Sequence, residues 1–130
     1  MTPEEHKQQK PIHDAAVHSA LTHLANKEAA FAHERYGYYR SPHEGFALID
    51  EEVWEAHAEY DIVRGNTNWL QRCVYGNFNG EMAKVAGHIR RNALSLAQEA
   101  IHVAATAARF LQAMNAESGE FANMDDKTGK

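Results

Sequence analysis

A chain of 130 residues, 44% hydrophobic and 24% charged, has the length and composition of one globular domain and not of a disordered segment. Its net charge of -5, counting histidine as neutral, argues against a duplex-binding surface, which needs clustered lysine and arginine to displace counterions. No apolar run approaches the ~18 residues of a membrane span. With the single cysteine Cys73 and a polar Met1–Lys10 stretch that lacks a signal-peptide core, this gives the expectation of a cytoplasmic protein.

No stretch alternates β-branched and polar residues over a useful length, so the expected fold is all-α. Residues 1–10 read as a flexible N-terminus, 11–116 as a single helical domain and 117–130 as a flexible, polar C-terminal tail. The first helix is expected from Pro11 or His13 to Tyr36, with Pro11 in its first turn and Gly37 as its stop. Val17, Leu21, Leu24 and Phe31 form its apolar stripe, which Glu28 interrupts. Such a glutamate either pairs with a base or serves as a metal or substrate ligand.

Ser41-Pro42-His43-Glu44 reads as a capping box that opens a second helix. Phe46, Ile49, Val53, Ala56, Tyr60 and Val63 then step by three and four, and Gly65 is the expected stop. A short helix over Thr67–Tyr75 and a loop over Gly76–Gly80 follow. A long helix from about Glu81 to Asn115 completes a bundle of about four, with Gly87 as a candidate break. Many of the apolar residues are alanines, which favour helix but bury little area, so the core per helix is thin.

Two helices carry candidate chemistry. On the second, Glu52, Glu55 and Glu59 share one file beside the apolar stripe. On the last, Ser95, Glu99, His102, Thr106 and Arg109 form a single polar line on an otherwise apolar surface. Either that line is the wet side of the helix or it is a site, since charges in such surroundings are usually paired or bound to metal. Glu99 and His102, one turn apart, can share an ion. Glu52 and Glu55 on a facing helix would complete a four-ligand cup suited to Mg²⁺ or Mn²⁺. One Glu-x-x-His is half of the pattern that di-iron bundles use twice. His13, His18 and His23 are five apart and scatter around their helix. No glycine-rich phosphate loop is present.

Glu51-Glu52-Val53-Trp54-Glu55 resembles the EExxE signature of the MazG-like all-α nucleoside triphosphate pyrophosphohydrolases. Glu99-Ala100-Ile101-His102 falls where that family has ExxD on a later helix. With Ser41–Ala47 and the alanine-rich run through Phe110-Leu111, about a third of the chain is similar to a small, phage-type branch of that family. The resemblance implies a helical bundle, and cleavage of a nucleoside triphosphate to a monophosphate and pyrophosphate. It implies Glu52, Glu55 and Glu99 as catalytic metal ligands, with His102 where the motif has aspartate. It also implies a homo-oligomer, a dimer or a tetramer. Arg109 is placed to meet a phosphate or to pair with a glutamate. A non-catalytic nucleotide- or protein-binding descendant of the same fold is the alternative.

Overall fold

The computed structural model describes residues 1–118, and among them every regular element is helical: α1 (Pro3–Tyr36), α2 (Pro42–Tyr75) and α3 (Asn79–Ser118). The bundle therefore has three helices where about four were expected, because the Thr67–Tyr75 segment continues α2 instead of standing apart. Gly65 does not stop α2. A Cβ there would meet nothing within 4 Å, so it is an exposed helical glycine. Its cost of about 1 kcal/mol is outweighed by the packing that follows it. The expected tail lies outside the described residues from position 119 onward, and α3 takes in residues 117 and 118.

The start of α1 also moves. Thr2 caps it: its hydroxyl accepts the Glu5 backbone N–H at 3.1 Å while the Glu5 carboxylate accepts the Thr2 N–H at 3.1 Å. This reciprocal box and Pro3 in the first turn begin the helix before Pro11, which is left inside it, so residues 3–10 are helical. At α2 the Ser41 hydroxyl accepts the Glu44 N–H at 3.1 Å as expected, but the Glu44 carboxylate reaches back to the Arg40 N–H at 3.2 Å, one residue before the cap.

Helices α2 and α3 form a long antiparallel hairpin. The α2 face that meets α3 steps through Gly45, Ile49, Glu52, Ala56, Glu59, Val63, Asn66, Leu70 and Cys73, all buried or half-buried. That face is rotated from the predicted stripe: Phe46, Val53 and Tyr60 stand 64%, 45% and 50% exposed on its flank. At the turn end Cys73 and Val85 are buried, Val85 completely. Midway, the Asn92 side chain donates to the Asn66 Oδ1 at 2.7 Å, a polar pair that fixes the register of the two helices. At the other end Gly45 permits close approach, since a Cβ there would collide with the ring of Phe110 and with Tyr39 Cδ2 at 2.8 Å. The 67–91 segment is thus the distal arm of this hairpin.

Among the described residues, helix α1 packs on α3 and makes no comparable contact with α2. Only its C-terminal third, around Ala25, Ala29, Ala32 and His33, is shielded, and residues 1–24 are exposed throughout. No helix among the described residues is long and apolar enough to cross a membrane.

Candidate functional site

The polar line on α3 faces inward. Glu99, His102 and Arg109 are half-buried and Thr106 is buried, whereas Leu94 and Leu111 are 59% and 64% exposed. Packing against two helices has thus brought this polar line inward beside the buried Ala105 and Ala113, leaving Leu94 and Leu111 outside.

His102, Thr106 and Arg109 of this line form one wall of a cavity of about 510 Å³ between the end of α1, the start of α2 and α3. One end is acidic. His102 Nδ1 lies 3.4 Å from Glu99 Oε2 and 3.9 Å from Glu52 Oε2, and its Nε2 lies 3.9 Å from Glu28 Oε1. Ligand atoms of Glu52, Glu99 and His102 fall within 4.8 Å of one another. The Oε2 atoms of Glu52 and Glu99 are shielded from solvent and, among the described residues, face the His102 ring without a hydrogen-bond partner. Burial raises the pKa of Glu52 above its ordinary value; the nearby carboxylates of Glu55 and Glu99 add to this and His102 opposes it.

The other end is aromatic and basic. The Arg109 guanidinium lies 4.5 Å from the centre of the Tyr39 ring and 5.9 Å from that of Tyr36. It donates to the Gly37 carbonyl at 3.3 Å, while its Nε is buried without a partner. No carboxylate among the described residues forms an ion pair with it, so its charge is turned to the cavity. Tyr39 is held by its own hydroxyl, which donates to the Thr106 carbonyl at 3.3 Å. Burial raises the Tyr39 pKa, against the lowering effect of Arg109, so the phenol stays protonated at neutral pH.

Of the sequence-predicted residues, the fold brings Glu28, Glu52, His102 and Arg109 to the lining of one cavity, and Glu99 joins Glu52 and His102 in the cluster at its acidic end. Glu55 is exposed and outside the three-residue cluster, one turn further along α2. Tyr36, Tyr38, Tyr39 and Arg40 line the cavity but were not singled out from the sequence. They lie in or beside the α1–α2 connection, where no periodicity exists to reveal them, and the only available signal was the aromatic density next to Gly37. No family model, curated protein or solved structure matches the chain.

Gly37 positions this connection. Its φ of 73° and ψ of -160° lie in a region open essentially to glycine alone. Gly37→Ala is expected to cost roughly 1–3 kcal/mol of stability and to displace Tyr38, Tyr39 and the Arg109 acceptor. Chemical unfolding, compared with a Gly65→Ala control on open helix surface, will measure it. The control should be neutral or stabilising.

Proposed function

We propose that this cavity is the active site of a metal-dependent nucleotide pyrophosphohydrolase of MazG-like type, cutting a nucleoside or deoxynucleoside triphosphate to the monophosphate and pyrophosphate. The protein is read as a cytoplasmic homo-oligomer. The observation that carries the proposal is the convergence of Glu52, Glu99 and His102, with two shielded carboxylate oxygens lacking hydrogen bonds, at one end of a cavity whose far end presents Arg109.

The donor set fits a divalent cation. Buried carboxylate oxygens without hydrogen bonds are costly, and a cation among them removes that cost. Two carboxylates and one imidazole suit Mg²⁺ or Mn²⁺, with the imidazole favouring Mn²⁺. When bound, such an ion supplies charge neutralisation for a polyphosphate and makes water more acidic. The rest falls to the chain. Glu52, Glu99 and His102 would hold the ion. Glu28, 3.9 Å from His102 Nε2, orients the imidazole or reaches the substrate. Glu55, solvent-accessible beside Glu52, is placed to accept a proton from attacking water. Arg109, seated between Tyr36 and Tyr39, takes a phosphate oxygen and draws the anion into an otherwise acidic cavity.

Pyrophosphate release from a panel of canonical and modified nucleoside triphosphates, with Mg²⁺ and Mn²⁺ assayed separately, tests this reading. Turnover should require the metal and run faster with Mn²⁺. Silence across the panel in both metals overturns it.

A second reading is a non-catalytic descendant that binds nucleotide or a partner protein. It is favoured by His102 at the aspartate position and by the place of Glu55 outside the cluster. On that reading His102→Asp creates turnover, or tightens Mg²⁺ binding measured by calorimetry by at least ~10-fold, because a third carboxylate raises the charge of the cup. No change in either would count against it.

A further inference from the structure

The net charge of -5 is unevenly spread along the fold. Between Asp61 and Glu99, the stretch that forms the distal arm of the α2–α3 hairpin, Arg64, Arg72, Lys84, Arg90 and Arg91 stand against the single carboxylate Glu81. The arm thus carries +4 and the rest of the chain -9, with histidine neutral. All five basic residues are exposed, and none of them forms an ion pair among the described residues. Exposed helices commonly offset such charges with carboxylates three or four positions away. Here the cations of two adjoining helices are left to repel one another, and an external polyanion removes that repulsion.

Aromatic rings are set among these charges. The half-buried Trp69 of α2 stacks on His88 of α3, with ring centres 5.9 Å apart and planes 27° from parallel, and the Arg91 guanidinium donates to His88 Nδ1. Lys84, His88, Arg91 and Ser95 step by four, three and four, so this stack shares a side of α3 with the polar line that leads to the cavity. At the turn, Tyr75 and Phe78 stand 78% and 59% exposed, and the amide residues Asn68, Gln71, Asn77 and Asn79 of the same arm are exposed as well. Cations, exposed rings and amides match the three parts of an unpaired nucleotide strand, its phosphates, base faces and base edges. An acidic polypeptide would use the cations and leave the rings idle. A duplex hides its base faces, and its denser charge is opposed by the -9 of the remaining chain.

We infer that the distal arm of the α2–α3 hairpin is a binding surface for single-stranded nucleic acid, with Lys84 and Arg91 on its phosphates and the Trp69–His88 stack as the platform for a base. Eleven residues, about 17 Å of helix, separate Arg91 from His102. The surface lies outside the cavity and needs no metal, so its failure and that of the pyrophosphohydrolase reading are separable.

Fluorescence anisotropy of a labelled oligothymidylate or oligouridylate of about twelve nucleotides, in metal-free buffer at low salt, tests this inference. Wild type should bind saturably with a Kd on the order of 1–100 μM, and log affinity should fall with log salt by about 0.7 for each phosphate engaged. Lys84→Glu and Arg91→Glu should each weaken binding at least ~10-fold and reduce that slope by about 0.7. Trp69→Ala should weaken it at least ~5-fold through the lost stack. Lys84 and Arg91 are exposed, so their variants decide the matter if circular dichroism shows that Trp69→Ala does not fold. Lys7→Glu on α1, which changes the net charge equally, should bind as wild type does. No saturable binding by wild type overturns the inference. So does wild-type affinity in both Lys84→Glu and Arg91→Glu, or an equal loss in Lys7→Glu. Poly-glutamate binding as tightly as the single strand assigns the arm to an acidic protein and overturns it too, as does a duplex of the same length binding as tightly.

Discussion

Glu99→Gln and Glu52→Gln should each reduce metal-dependent pyrophosphate release by at least ~100-fold, since loss of groups that merely orient ligands already costs roughly 10–100-fold. The two variants should differ in stability. The carboxyl of Glu52 has its pKa raised by burial and by Glu55 and Glu99, so ionising it opposes folding. The penalty is present above the folded pKa, and it fades as pH falls through that value towards the lower unfolded pKa. Glutamine at position 52 keeps the shape without the charge. The metal-free Glu52→Gln protein should therefore melt about 2–4 °C higher than wild type at neutral pH, less than roughly 1 kcal/mol once partial exposure and screening are allowed for. The gain should vanish on acidification. Added Mn²⁺ should raise the melting temperature of wild type and not of the variant. Wild type and Glu52→Gln with identical pH profiles and identical responses to Mn²⁺ would remove the charge-repulsion argument and the metal reading together.

The largest effect on stability is expected at Gly45. A Cβ at this position would overlap the Phe110 ring and approach Tyr39 Cδ2 to 2.8 Å. Overpacking of this kind typically costs about 1–3 kcal/mol, and alanine recovers roughly 1 kcal/mol of it through helix propensity. Gly45→Ala should thus lose about 1–2 kcal/mol and Gly45→Val, branched at the crowded atom, about 3 kcal/mol or more. With Val85 the one completely buried large side chain among the described residues, such a loss is a substantial part of a total near 5–15 kcal/mol. Because Tyr39 seats Arg109, the substitution should also disturb the cavity: nucleotide affinity should fall in Gly45→Ala even at temperatures where it remains folded. Urea titration followed by circular dichroism gives the first quantity, and calorimetric titration of a non-hydrolysable triphosphate the second.

The file Ser95, Glu99, His102, Thr106 and Arg109 was readable in the sequence because helical spacing alone places those residues on one side of one helix. All-helical structure, the Ser41 cap, the Gly37 stop and the turn near Gly76 were equally local: each depends on side-chain chemistry within a few residues of itself. What spacing could not decide was which side of a helix faces in. On α2 the predicted stripe contained Phe46, Val53 and Tyr60, and tertiary packing turned these out while bringing Gly45, Glu52 and Glu59 to the contact with α3. The polar line on α3 is inward for the same reason, since a helix held between two others buries whatever lies between them.

The sequence by itself determined that the chain is helical and which residues share a helical file, because propensity, capping and the 3.6-residue period are short-range properties. Tertiary structure alone decided the continuity of α2 through Gly65, the union of Glu28, Glu52, Glu99 and His102, and the seat of Arg109 between Tyr36 and Tyr39. These are contacts between residues up to 74 positions apart, as with Glu28 and His102, and they arise from the way long helices pair, which no local pattern encodes.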